Sequence, residues 1–246
     1  YIQPCPLRWA GNTRETPGKG ERKMVDFHTH ILPGMDDGSR DVEQSLAMLR
    51  MEREQGIETV VLTPHFYARQ NAPARFLERR SQSFQKLSAA LDESCPRLLL
   101  GAEVQYFDNM DRAEEIGSLC IGDTGVLLLE MPFFPWDKRV IRTVLELNGW
   151  RGIQVVLAHI ERYSSFCRDK KTWEELREHG ILMQVNCSHF AGLLGRRKAM
   201  KMLARDEFQL IGSDSHNLDE RKPNWNLVPQ EAMAAAGDFA RELLRL

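Results

Sequence analysis

The stretch Met24-Val25-Asp26-Phe27-His28-Thr29-His30 begins like a buried strand and ends on two imidazoles. Two-residue spacing puts both rings on one face of an extended chain. The pattern recurs. Six more short apolar runs follow, at 57–63, 98–102, 126–130, 153–158, 181–185 and 209–212, each bounded and rich in Val, Ile or Leu. Such runs are expected of strands buried on both faces of a parallel sheet. Each also leads into a polar residue. The second leads into Pro64-His65, the third into Glu103, the fourth into Glu130 and the fifth into His159. The sixth leads into Asn186, and the seventh into Asp214-Ser215-His216.

Helical patterns fill the intervals. Asp41 with Gln44 suits a helix N-cap and its partner, and Gly56 suits the stop. Thr172 with Glu175 reads as a second capping box, ending at Gly180, and further helices are expected near 74–94, 137–149, 194–206 and 227–245. Parallel neighbours need crossovers, so the series implies a barrel or a doubly wound sheet. No repeat or linker divides it, and 24–246 reads as one domain. Residues 1–23, with scattered Pro and Gly and no apolar core, read as a leader or start-site artefact rather than a secretory signal.

Composition narrows the function. The chain has 246 residues, 42% apolar and 28% charged, with a net charge of −2. That is a globular composition with no overall field for nucleic acid or an anionic membrane. The basic runs at 75–80 and at Arg196-Arg197-Lys198 are interleaved with apolar residues at helical spacing and read as solvated faces. No apolar stretch approaches the roughly 20 residues of a membrane span, so a cytoplasmic location is expected. The five cysteines, at 5, 95, 120, 167 and 187, form no C-x-x-C pair. This argues against a disulfide framework or a thiolate zinc site. None has an Arg six residues on, so the C-x5-R cradle of cysteine phosphatases is absent.

At any single strand end, a hydrogen-bonded structural His or a helix-capping acid is the simpler reading. Here five of the seven histidines and several acids coincide at the strands' C-terminal ends, where barrels place their active sites. Gathered carboxylates repel unless cations neutralise them. A mixed imidazole and carboxylate set without thiolates suits zinc, manganese or iron. Ions sharing carboxylates would activate water and clamp an oxyanion, as phosphoester hydrolysis requires.

D-x-H-x-H at 26–30, Pro64-His65 and S-D-x-H at 213–216 resemble the polymerase-and-histidinol-phosphatase (PHP) superfamily. His28-Thr29-His30 with Asp36-Asp37-Gly38, Gly101-Ala102-Glu103, H-I-E-R-Y at 159–163, Asn186-Cys187-Ser188-His189 and S-D-S-H-N-L-D at 213–219 resemble more closely the bacterial capsule and exopolysaccharide tyrosine phosphatases of the CpsB type. The likeness runs from Met24 to about Pro223. It implies a distorted (β/α)7 TIM-like barrel, the PHP fold, with two to three divalent transition-metal ions. Manganese is the expected metal, with iron or zinc as alternatives. By the same resemblance His28, His30, Glu103 and Asp214 would hold one ion. Glu103, Glu130 and His159 would hold another, and Asp37, His65 and His216 the third, with Asp36 the alternative to Asp37. Asp26 is expected to orient a ligand imidazole.

Arg162 reads either as a grip on phosphoryl oxygens or as an ion pair with a barrel acid. Arg221 is a second candidate for contact with phosphate, and His189 either a rim residue and general acid or a structural one. The aromatic loop 131–136 either flanks a substrate ring or simply packs, and the loop at 66–75 is similar. The resemblance implies metal-activated water attacking the phosphorus of a phosphotyrosine protein, with an autophosphorylating bacterial tyrosine kinase as partner. A small-molecule phosphatase such as histidinol phosphatase, or a non-catalytic PHP binding module, are the other readings.

Overall fold

Runs that are apolar at successive positions, and so on both faces of a strand, call for a sheet covered on both sides. The computed structural model describes residues 24–246; the leader expected at 1–23, and Cys5 within it, lie outside the described residues. The strands are β1 (Met24–Thr29), β2 (Ile57–Leu62), β3 (His65–Phe66), β4 (Arg97–Leu100), β5 (Glu103–Gln105), β6 (Val126–Glu130), β7 (Gln154–Leu157), β8 (Leu182–Asn186) and β9 (Leu210–Gly212). The helices are α1 (Val42–Glu54), α2 (Pro73–Ser88), α3 (Lys138–Leu147), α4 (Lys170–Glu178), α5 (Gly192–Leu203) and α6 (Gln230–Leu244).

Every ladder between these strands is parallel, in the orders β1-β2-β4 and β3-β5-β6-β7-β8-β9. The chain joins the two series. β2 runs into β3 through Thr63-Pro64, and β4 into β5 through Gly101-Ala102. Gly101 N donates to Leu62 O at 2.9 Å and Glu103 N to Pro64 O at 3.1 Å. The sheet curls until its last strand returns to its first: Asp214 N donates to His28 O at 2.8 Å, and His30 N to Ser215 O at 2.9 Å. The architecture is a curled parallel α/β sheet.

Alternation sorts the side chains into two cores. Val126 and Leu128 of β6 face an inner cluster with Val25, Phe27, Val61, Val156, Ala158, Leu182 and Leu210. Leu127, Leu129, Val155, Leu157, Met183 and Val185 face outward, under the helices. Helix α6 packs on β1 and β9, adding Phe239, Ala240, Leu243 and Leu244 to the inner cluster. Each such side chain, fully buried, is worth roughly 1.5–3 kcal/mol. Hydrocarbon thus fills the N-terminal end of the strands and leaves the polar residues to the other end.

Three expectations need correction. The runs at 57–63 and 98–102 do not each continue as one strand into the polar residue beyond: His65 and Glu103 stand on separate short strands, β3 and β5. Pro64 has no N–H to give a ladder, and the break falls there. The crossover from β5 to β6 holds two 3-10 turns, Met110–Arg112 and Ile116–Leu119, instead of an α-helix. The second capping box also fails. Asp169 caps α4 by accepting from Lys171 N at 3.1 Å, and Thr172 lies inside the helix with its hydroxyl on Asp169. Asp outranks Thr as a cap. The first N-cap holds: Asp41 accepts from Gln44 N at 2.8 Å, the Gln44 side chain turns back to Arg40 N at 2.9 Å, and Gly56 has φ +91.

Candidate metal centre

The inward column of β6 reads Val126, Leu128, Glu130, and that of β8 reads Leu182, Gln184, Asn186: apolar below, polar at the C-terminal end. After β7 and β9 the chain must turn sharply to keep pointing polar groups inward. His159 (φ 32) and Asp214 (φ 55) both take the left-handed backbone, which His and Asp tolerate better than most residues. Local strain of this kind persists where the surroundings over-determine it, often at functional sites. A close approach matters as well. A Cβ on Gly38 would meet His30 O at 2.1 Å, so only glycine lets the Asp36-Asp37-Gly38 turn fold onto β1.

Glu103, 1% exposed, is the hub. Its Oε2 lies 3.2 Å from His28 Nε2, 3.3 Å from His30 Nε2 and 2.9 Å from His65 Nδ1, and its Oε1 lies 2.8 Å from His159 Nε2. Asp214 Oδ1 is 3.8 Å and 3.5 Å from the Nε2 atoms of His28 and His30. Glu130 Oε1 is 3.7 Å from His159 Nε2. Asp37 Oδ1 is 3.6 Å from His65 Nε2 and 3.5 Å from His216 Nε2. The structure therefore gathers all nine expected donors. Three overlapping groups have a donor atom from each member within 4.8 Å of the others: His30, Asp37, His65 and His216; His28, His30 and Glu103; and His65, Glu103 and Glu130.

Hydrogen bonding outside the cluster fixes what these rings present to it. Gln184 Nε2 donates to Val185 O at 2.7 Å and to Asn186 Oδ1 at 2.9 Å, so its Oε1 faces His28 Nδ1 at 3.2 Å. His28 must then carry its proton on Nδ1. His30 Nδ1, 2.7 Å from Asp36 Oδ2, is held the same way. Both rings therefore turn Nε2 inward, 3.1 Å apart and facing the Glu103 oxygen. Two lone pairs so close need a proton or a metal ion between them. Buried atoms without hydrogen-bond partners lie here too, among them Glu103 Oε2, His65 Nδ1 and His216 Nε2. The donor set, nitrogen and oxygen without sulfur, suits a transition metal.

Without metal, protons take that place. Burial alone would depress His30 and His65, but the carboxylates around them carry both up to about 9. Burial, then the Glu103 charge, pushes Glu130 up to about 7. Burial, then the neighbouring His30, holds His216 down to about 3.

The acid pair after β1 divides its roles. Asp36 is buried on His30 and also accepts from His65 N at 2.8 Å and Gly38 N at 3.0 Å, while Asp37 reaches the rings of His65 and His216. Asp26 departs from expectation. It touches no imidazole; it accepts from the backbone N–H of His28 at 3.1 Å and Ser213 at 3.0 Å, and from Trp225 Nε1 at 2.9 Å. It ties together the two donor-bearing segments, and the ring-orienting partners are Gln184 and Asp36. Gln184 escaped the sequence reading, although its position two residues before Asn186 on one strand marks it as inward-facing.

Arg162 donates through Nη2 to Asp214 Oδ2, and Arg221 through Nη2 to Asp214 Oδ1 at 3.0 Å. Both side chains stay 39% exposed, and Arg221 Nη1 also lies 3.7 Å from Asp37 Oδ2. His189 is not brought into it. Its Nε2 is buried without a partner, and the nearby cation is Lys198. In the 131–136 loop, Phe133 stacks beside His159, centroids 6.2 Å apart and planes at 23°. It lines a 260 Å³ cleft with Phe134, Tyr106, Phe107 and Gln105, and Gln105 donates to Glu130 at 3.4 Å. Among the described residues no cysteine joins the donor groups. Burial pushes the thiol of Cys120 up to about 11 and also raises those of Cys167 and Cys187.

The chain is similar to known proteins. The chain is 31% identical over 211 residues to the tyrosine-protein phosphatase CpsB of Streptococcus pneumoniae, covering 81% of this chain and 86% of that one. It is 29% identical over 228 residues to the tyrosine-protein phosphatase YwqE of Bacillus subtilis, covering 89% and 87%. A solved structure from work on YwqE and CpsB, described as unique metal-dependent tyrosine phosphatases, superposes with a TM-score of 0.69 at 24% identity over 89% of this chain and 87% of that one. Residues 24–238 match the family described as capsular polysaccharide synthesis, CpsB/CapC. With most of its length so matched, the chain belongs to the CpsB/CapC family.

Proposed function

We propose that this chain is a metal-dependent tyrosine-protein phosphatase. The observation that carries the reading is the pair of inward imidazole nitrogens, His28 Nε2 and His30 Nε2, facing one oxygen of Glu103, with two guanidiniums on the adjoining Asp214. We assign His28, His30, Asp37, His65, Glu103, Glu130, His159, Asp214 and His216 to two to three divalent ions, with manganese the expected metal. Their rim is then the C-terminal face of a distorted (β/α)7 barrel, in which β2 with β3 and β4 with β5 count as single bent staves. When bound, such ions lower the pKa of water and face positive charge toward phosphoryl oxygens.

The protein's own groups do the rest. Asp214 fixes both guanidiniums, and the remaining N–H groups of Arg162 and Arg221 hold the non-bridging oxygens, where planar forks fit best. The cleft beside Phe133 receives the phenyl ring. A phenolate leaves with a conjugate-acid pKa near 10, so it needs only modest protonic help. The substrate class is a phosphotyrosine protein of capsule or exopolysaccharide synthesis, such as an autophosphorylating kinase. Among the described residues no helix is long and apolar enough to cross a membrane.

The test combines metal analysis of the purified protein with kcat/KM on phosphotyrosine peptides, phosphoserine peptides and histidinol phosphate. Bound transition metal, loss of turnover on chelation and a preference for phosphotyrosine are expected. Full activity after exhaustive chelation sinks the mechanism, and a tenfold preference for histidinol phosphate sinks the substrate.

A further inference from the structure

A cleft of about 660 Å³ runs between α4, α5 and the 3-10 turn Ile160–Tyr163. Arg168, Lys170, Arg177, Lys198, Lys201 and Arg205 line it. Three acids share the wall: Glu207, which lies 3.7 Å from Arg205; Glu161, which gives one oxygen to Asn186 N; and Glu174. Among the described residues the other five cations enter no ion pair. This concentration sits in a chain whose net charge is −2. Lys170 opens α4, where the helix dipole disfavours a cation, so the placement runs against the helix's own stability. The floor is apolar: Ile160, Cys167, Trp173 and Met202. Arg196, Arg197 and Lys198 are all exposed, as expected of a solvated face, and Lys198 also lines the cleft.

The cleft adjoins the metal centre. Ile160 and Glu161 form its inner wall, and they lie in the chain between His159 at the centre and Arg162 on Asp214. We infer that this cleft binds the acidic segment flanking the phosphotyrosine of the substrate protein. The inference rests on the phosphatase reading above and names its sequence preference. A peptide whose phosphate reaches Arg162 lays its neighbouring residues along the cleft, about 3.3–3.6 Å per residue when extended. Asp and Glu there meet the unpaired cations while apolar side chains meet the floor. Single exposed ion pairs are weak, each a factor of roughly 1.5–5; several together give about tenfold.

The experiment uses the metal-loaded full chain, p-nitrophenyl phosphate, and three peptides sharing a central phosphotyrosine with acidic, neutral or Lys-rich flanks. Wild type should cleave the acidic peptide with about tenfold higher kcat/KM than the neutral one. That advantage should fade as salt rises from 0.1 M to 1 M and the screening length shrinks from ~10 Å to ~3 Å. Lys198→Glu/Lys201→Glu and, separately, Arg168→Ala/Lys170→Ala should lose it while p-nitrophenyl phosphate kinetics stay unchanged. Equal rates on acidic and neutral peptides in wild type, or a preference surviving in both variants, overturn the assignment. If no phosphate ester is cleaved at all, it is the phosphatase reading that fails. Fluorescence anisotropy with a labelled acidic peptide lacking phosphate then judges the cleft alone. Tenfold weaker binding in the variants supports it, and unchanged binding refutes it. A single-stranded oligonucleotide that outcompetes the acidic peptide makes the cleft a general polyanion surface and also refutes the proposal.

Discussion

At the scale of single residues, the centre depends on groups that never touch an ion. Gln184 sets the tautomer of His28 because its own amide is committed to Val185 O and Asn186 Oδ1. Replacing such an orienting partner typically costs 10–100-fold in metal affinity. Gln184→Met should therefore weaken metal binding by about that factor in a chelator competition titration, and unchanged affinity would take the residue out of this role. Arg162 poses a sharper question, since it pairs with Asp214, itself a proposed ligand. If its free N–H groups hold the phosphoryl oxygens, Arg162→Ala should lower kcat/KM by about 10²–10³ with metal content intact. Arg162→Lys restores the charge without the fork and should recover only part. Metal lost in step with activity would instead make Arg162 a brace for Asp214.

At the scale of elements, the join between β9 and β1 is the most exacting. A Cβ on Gly212 would lie 2.5 Å from His28 Cβ and 3.0 Å from His28 N. Gly212→Ala must push the two strands apart, at a cost of about 1–3 kcal/mol, and should lower both melting temperature and metal content. Gly117→Ala, where an added Cβ meets nothing within 4 Å, is the control; equal behaviour of the two would remove the join from the argument. Strands were legible in the sequence wherever hydrocarbon runs met a polar terminus, which is why Val126–Glu130 has its expected bounds. The short strands carrying His65 and Glu103 were not, because two or three residues give no periodicity. Donor types at strand ends were equally readable. Partners set by long-range register were not: Asp26 bonding Ser213 N, or Gln184 facing His28, depends on how the curled sheet closes.

At the scale of the whole molecule, the metal centre and the closure of the sheet are one structure. His28 comes from the first strand and His30 from the residue just past it, Asp214 and His216 come from the segment after the last, and backbone bonds join the two segments directly. Ions held by these groups, as proposed above, would cross-link the ends of the strand series and so stabilise the folded state by mass action. Stripping them leaves protons to balance the carboxylates, and this makes a pH dependence with a definite sign. His30 and His65 rise from 6.5 to about 9 in the metal-free fold. A group raised in this way gives stability that is fully present below pH 6.5 and is lost as pH climbs through 9. Glu130, raised from 4.5 to about 7, loses its share earlier, between those two values. His216 is depressed to about 3, so its effect falls below pH 6.5, outside the window. Metal binding runs the other way, because imidazole must shed its proton to become a ligand. The melting temperature of the chelated protein should therefore fall between pH 6.5 and 9, while that of the protein held at constant free manganese should not, and the gap between them should widen across the window. Thermal scans of both forms in matched buffers measure it. Parallel curves would mean that the buried histidines neither carry the protons nor yield them to metal, and the centre described here would lose its physical basis.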